Sequence, residues 1–160
     1  LERAITIAAE AHAGQKDRAG APYILHPIQL MIQMDSESAM MAAVLHDVVE
    51  NSVWTLDDLR KEGFSNEVLN AVDSLTHRDK EGEDYWDYIQ RAKSDPIALK
   101  VKLADLLDNL NPNRLNKVTK EDKKRNWNHV TRNQESGSCL TRGQILLLHS
   151  LRTRATGLRY

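Results

Sequence analysis

Four polar side chains stand where an apolar chain would exclude them. His46 and Asp47 are adjacent within MMAAVLHDVVEN, and Asp105 interrupts the Leu-rich run ALKVKLADLLDNL. His26 closes the apolar stretch PYIL just before Pro27, so its ring has a defined direction. A carboxylate buried without a partner costs several kcal/mol or gives up its charge. A divalent cation removes that cost by neutralising the carboxylate and binding imidazole directly. Two histidines and two aspartates form a mixed N/O donor set that suits Mn²⁺, Fe²⁺ or Zn²⁺ better than Ca²⁺. Such a set leaves positions open for water and a phosphate oxygen, as a catalytic centre requires. His26, His46, Asp47 and Asp105 are therefore the expected metal ligands. Each alone has an ordinary structural reading; the joint pattern across three segments favours the metal.

Helical spacing brings further groups to these four. Glu50 follows His46 by four residues and Asp47 by three, and Asn51 follows Asp47 by four, so both lie near the same face. Glu50 is the expected base toward water. Asn51 can hold a water but cannot take up a proton; it reads equally as a helix-end cap. Lys102 precedes Asp105 by three and Asn109 follows it by four, which puts all three on one face. Lys102 and Asn109 are candidate phosphate or sugar contacts, and Lys102 reads equally as a surface lysine. Asp108 reads as exposed. His12 falls on the buried face of the first helix, either behind the site or as a core histidine. His77 follows a helix end, and His129 and His149 receive no role.

The elements that must position these residues read as helices throughout. Residues 2–13 carry Ile5, Ala8, Ala9 and His12 at helical spacing, and Gly14 ends the run. A loop follows over 14–25. Pro27 is expected to open a helix over roughly 27–34, and Ser36 or Ser38 to cap one over 39–51. Thr55 caps TLDDLRKEG with Asp58 three residues on, and Ser65 caps NEVLNAVDSLT. Further helices are expected over 83–93, over 96–110 behind Asp95-Pro96, and over 120–130. No stretch alternates cleanly, so the expected fold is an all-α helical bundle. Residues 1–130 form the expected domain and 131–160 a basic C-terminal tail.

Composition bounds the partners. The 160 residues suffice for one domain with a real core. Charge is uneven: residues 1–111 hold 11 Lys/Arg against 20 Asp/Glu, whereas residues 112–160 hold 11 against 3. A basic end can mark a nucleic-acid contact. Here the charges are scattered with few aromatics among them, so a solvated tail is the preferred reading and nucleic acid is not an expected partner. The longest apolar stretch, around 39–45, falls far short of the ~20 residues that span a bilayer. No signal peptide is expected from the opening LER. Cys139 is the only cysteine, so no intrachain disulfide can form. A reducing, cytoplasmic setting is expected, and Cys139 lacks a nearby base for a nucleophilic role.

The motifs AAEAHAGQKDRAGAPYILHPIQL, AAVLHDVVENS with WTLDDL, AVDSLTHR and VKLADLLDN resemble the HD superfamily of phosphohydrolases. More narrowly they resemble its RelA/SpoT-type branch and small stand-alone relatives, over roughly residues 2–125. The resemblance implies an all-α HD-domain bundle and a metal, typically Mn²⁺, on the residues matching His26, His46, Asp47 and Asp105. It implies removal of pyrophosphate from the ribose 3′ position of guanosine tetra- or pentaphosphate. Two departures stand out. The branch continues its His-Asp helix with a Glu-Asp pair, where this chain has Glu50-Asn51. The branch has adjacent basic residues after Gly14-Gln15 to contact guanine and phosphates, where this chain has Lys16-Asp17-Arg18. Lys16 and Arg18 are the substrate contacts implied there, with Arg18 at the second basic position; Tyr23 reads as packing or as substrate contact. The expectation is a metal-dependent hydrolase of a small-molecule nucleotide. The alternative is a degenerate HD domain that binds a nucleotide or a protein partner without turnover.

Overall fold

A computed structural model describes residues 1–109. The expected helix at 120–130, the 131–160 tail, His129, Cys139 and His149 lie outside the described residues. Among those described, the secondary structure is helical without a strand: α1 Glu2–Ala11, α2 Leu25–Ile32, α3 Glu37–Leu45, α4 Val48–Asn51, α5 Leu56–Lys61, α6 Asn66–Leu75, α7 Tyr85–Ser94 and α8 Pro96–Asp108. A 3-10 turn over Asp79–Glu81 joins α6 to α7. None of these helices is long and apolar enough to cross a membrane.

The arrangement follows from α3. Its residues Ala39, Ala42, Ala43, Val44 and Leu45 are all buried, and a helix apolar on every side belongs inside other helices. Accordingly α3 packs against α1, α2, α6 and α8. Ile7 and Ala8 of α1, Leu30 of α2, Val68, Leu69 and Val72 of α6, and Ala98 and Val101 of α8 complete one core. A residue just past the end of α3 is thereby carried to the centre of the bundle.

Local sequence sets most helix ends. The Ser36 hydroxyl accepts from Ala39 N–H, Thr55 and Asp58 form a reciprocal capping box, and Ser65 accepts from Val68 N–H. The Asp95 carboxylate accepts from both Ile97 and Ala98 N–H ahead of α8, satisfying donors that have no partner inside the helix. Gly14 at φ +76° and Gly63 at φ +87° follow α1 and α5 in the left-handed region that favours glycine.

Two differences from the expected boundaries bear on the site. Helix α2 begins at Leu25, with Pro27 as its third residue. The missing N–H of Pro27 falls among the first four, which lack an intrahelical acceptor anyway. His26 thus sits in a helical first turn rather than a loop. The helix expected over 39–51 is split: α3 ends at Leu45 and α4 begins at Val48, with His46 and Asp47 between them. His46 Nδ1 lies 2.9 Å from the Ala43 carbonyl, an oxygen that an unbroken helix would offer to the N–H of Asp47. Side-chain competition of this kind interrupts a helical ladder.

Candidate metal centre

The break in the central helix aims two donors at one point. A carbonyl can only accept, so His46 donates through Nδ1–H to Ala43, and Nε2 is the nitrogen that a cation would take in exchange for its proton. That Nε2 atom is buried without a hydrogen-bond partner and lies 3.1 Å from Asp47 Oδ2. Tyr23 donates its hydroxyl to the same Asp47 oxygen. From α2, the His26 ring comes edge-on to His46 with centroids 5.2 Å apart. Donor atoms of His26, His46 and Asp47 all lie within 4.8 Å of one another. From α8, Asp105 Oδ1 lies 3.3 Å from His26 Nε2.

These separations suit a shared cation. With metal–ligand bonds of about 2.1 Å, neighbouring donors at octahedral to tetrahedral angles lie about 3.0–3.4 Å apart. The 3.1 and 3.3 Å contacts fall in that span. Charge points the same way. Burial works to raise both carboxyls, yet the His46 imidazole beside Asp47 and the Lys102 ammonium beside Asp105 hold them well below the usual range. Burial likewise opposes a charge on His46, but Asp47 and then Asp105 raise its pKa to about 9. Two buried carboxylates held ionised attract positive charge. An unpartnered buried nitrogen facing two ionised carboxylates is a donor set that could hold a divalent metal.

Lys102 and Asn109 both reach Asp105, as their spacing predicts. Lys102 Nζ donates to Oδ2 at 2.9 Å and Asn109 Nδ2 to Oδ1 at 2.6 Å. Lys102 also stands 5.1 Å from the centre of the Tyr88 ring. Glu50 is exposed on α4, and its Oε2 accepts the backbone N–H of His77 at 3.0 Å. Desolvation by the surrounding protein, and then the charge of Asp47, raise its carboxyl above the usual glutamate range. Asn51 closes α4, and its carbonyl accepts from Gln15 Nε2 at 3.2 Å. Lys16 and Arg18 stand exposed in the loop between α1 and α2. Asp17 builds that loop: its Oδ1 accepts from Ala19 and Ala21 N–H, both at 2.9 Å.

Three features were not foreseen. Asp108, expected at the surface, is buried, and its Oδ2 lies 2.7 Å from His26 Nδ1. Its spacing of three from Asp105 was the available signal, because that places both on one helix face. Tyr23 binds Asp47, which no local spacing reveals across 24 residues. Gln15 ties α1 to α4: its amide nitrogen donates to Ala11 and Asn51 carbonyls while its oxygen accepts from buried His12 Nδ1 at 2.9 Å.

Comparison with known proteins identifies the family and the fold. The sequence model of the family described as "HD domain" matches residues 4–132. A GTP pyrophosphokinase of Streptomyces coelicolor is 36% identical over 135 residues, 78% of this chain and 16% of that protein. A guanosine-3′,5′-bis(diphosphate) 3′-pyrophosphohydrolase of Aquifex aeolicus is 33% identical over 121 residues, 69% of this chain and 17% of that protein. The chain thus spans about a sixth of the length of these relatives. A solved structure described as "a metazoan ortholog of SpoT hydrolyzes ppGpp and plays a role in starvation responses" superposes with a TM-score of 0.77 at 24% identity, over 98% of this chain and 96% of that one. That likeness speaks to the all-α fold.

Proposed function

The chain belongs to the HD domain family, and on that premise we propose that it is a divalent-metal-dependent phosphohydrolase acting on a guanosine 3′,5′-bis(diphosphate)-type nucleotide. The observation that carries the reading is the buried, unpartnered Nε2 of His46 facing Asp47, with His26 and Asp105 alongside. We assign His26, His46, Asp47 and Asp105 as the metal ligands and Mn²⁺ as the ion. The names of the relatives and the motif resemblance support the substrate class. The nucleotide is the assigned partner, and the single cysteine fits a cytoplasmic setting.

When bound, the ion supplies charge neutralisation for a phosphate and acidification of water. The residues supply the rest. Glu50, with a raised carboxyl, accepts a proton from the water that attacks phosphorus. The new bond from water oxygen to phosphorus forms as the bond from phosphorus to the ribose 3′ oxygen breaks; that oxygen takes up a proton to become the 3′ hydroxyl, and pyrophosphate departs. Asn51 orients that water without taking its proton. Lys102 and Asn109 hold Asp105 in place and are the assigned phosphate or sugar contacts. Arg18 and Lys16 meet the outer phosphates or the base.

Release of pyrophosphate from guanosine tetraphosphate, with and without Mn²⁺, tests the reading. Manganese-dependent release that Asp47→Ala abolishes is the expected result. Nucleotide binding without product would instead favour the non-hydrolytic module that Asn51 motivates.

A further inference from the structure

Asp108 is a carboxylate that the reaction outlined above does not use. It lies in the Leu-rich end of α8, where an unpartnered carboxylate would cost several kcal/mol. Its side chain is 7% exposed, against 2% for its neighbour His26. Oδ2 stands 2.7 Å from His26 Nδ1, and Oδ1 of Asp105 stands 3.3 Å from His26 Nε2. Two carboxylates three residues apart on one helix face therefore address opposite nitrogens of one imidazole. Resting on the metal-site reading above, we propose that Asp108 is the positioning residue that makes His26 a ligand.

The carboxylate accepts Nδ1–H, which fixes the tautomer and leaves the Nε2 lone pair for the cation. It also fixes the plane of the ring about its Cβ–Cγ bond. A carboxylate behind an imidazole raises its strength as a donor. His46 has a different backing, the neutral Ala43 carbonyl at 2.9 Å. The two histidines are thus unequal donors: His26 is strengthened by a full charge and His46 by a dipole. Asp108 does not itself need to touch the ion.

Calorimetric titration of Mn²⁺ into the metal-free chain tests this without reference to turnover. Asp108→Asn is nearly isosteric and preserves the packing, while losing the charge. It should weaken Mn²⁺ binding by about 10–100-fold, Asp108→Ala at least as much, and His46→Ala should remove binding. In the Zn²⁺ form, a solvent-protected His26 Nδ1–H resonance should be visible and should disappear in Asp108→Ala; an Asp108 that only packs beside His26 without accepting its Nδ1–H would not produce that change. Binding by Asp108→Asn within about twofold of the parent, while His46→Ala binds nothing, overturns the role of Asp108 and leaves the metal site standing. Failure of the parent chain to bind either ion overturns the metal site and the role of Asp108 with it.

Discussion

The backbone N–H of His77 donates to Oε2 of Glu50 across 3.0 Å, linking the end of α6 to the short helix after the His-Asp break. The bond steadies the carboxylate, but desolvation and the nearby Asp47 charge outweigh it and keep the Glu50 carboxyl above its usual range. A base works only when deprotonated, so hydrolysis should rise with pH through this raised pKa. The acid limb of kcat/KM should report the Glu50 carboxyl. Glu50→Gln should lower kcat by about 10²–10⁴-fold and remove that limb. A pH–rate profile of parent and variant decides it; an unchanged limb would exclude Glu50 as the base.

Asp47 joins the His26–His46 cluster to the loop between α1 and α2 through the Tyr23 hydroxyl. Asp47→Ala should abolish Mn²⁺ uptake and nucleotide hydrolysis together while circular dichroism stays helical, because the core is built from other residues. Chelation of the parent protein should reproduce the loss, and added Mn²⁺ should restore it. Metal content and phosphate release are the two measurements.

Asn51 occupies the position where the family resemblance implies a second acid. The residue is exposed and ends α4, so a change of side chain leaves the core intact. Asn51→Asp adds a proton acceptor beside Glu50 and should raise hydrolysis by up to about 10²-fold. If the parent chain binds without turnover, product should first appear in this variant. Steady-state assay of both proteins distinguishes the cases, and a variant no faster than its parent would show that Asn51 is not the limiting departure.

Helix α8 delivers Asp105 and Asp108, and Asp95 caps it with two hydrogen bonds of 2.9 and 2.8 Å. Asp95→Ala should destabilise the fold by about 1 kcal/mol, read by urea unfolding. Metal affinity at saturation of folding should be unchanged, since the cap is three helical turns from Asp105.

Arg91 closes the end of α6. It donates to the carbonyls of Asp73 and Thr76 and forms a pair with Glu83 at 2.8 Å, both side chains largely buried. Arg91→Ala should cost about 2–3 kcal/mol. The Arg91 hydrogen bond holds the Glu83 carboxyl below its usual 4.5. A folded state that favours the carboxylate has that stabilisation in full above pH 4.5 and loses it as pH falls toward the depressed value. Denaturation midpoints measured below pH 4.5 should therefore fall more steeply in the parent than in Arg91→Ala.

Local signals settled a large part of this protein. Caps at Ser36, Thr55, Ser65 and Asp95 appear in the structure because each acts within three residues of its own side chain. The all-α class follows from apolar periodicity, and the convergence of His26, His46 and Asp47 follows from polar residues placed where an apolar interior excludes them. The clamp of Lys102 and Asn109 on Asp105 was legible for the same reason, since i, i+3 and i, i+4 pairs share a helix face. Only the tertiary structure decided the rest. The helix break at His46 depends on a side chain choosing a backbone carbonyl over solvent. The Tyr23–Asp47 bond spans 24 residues and the His26–Asp108 bond 82. Whether Asp108 meets water or an imidazole depends on which helix packs against α8. Periodicity tells which face of a helix is apolar; only the fold tells what lies opposite that face.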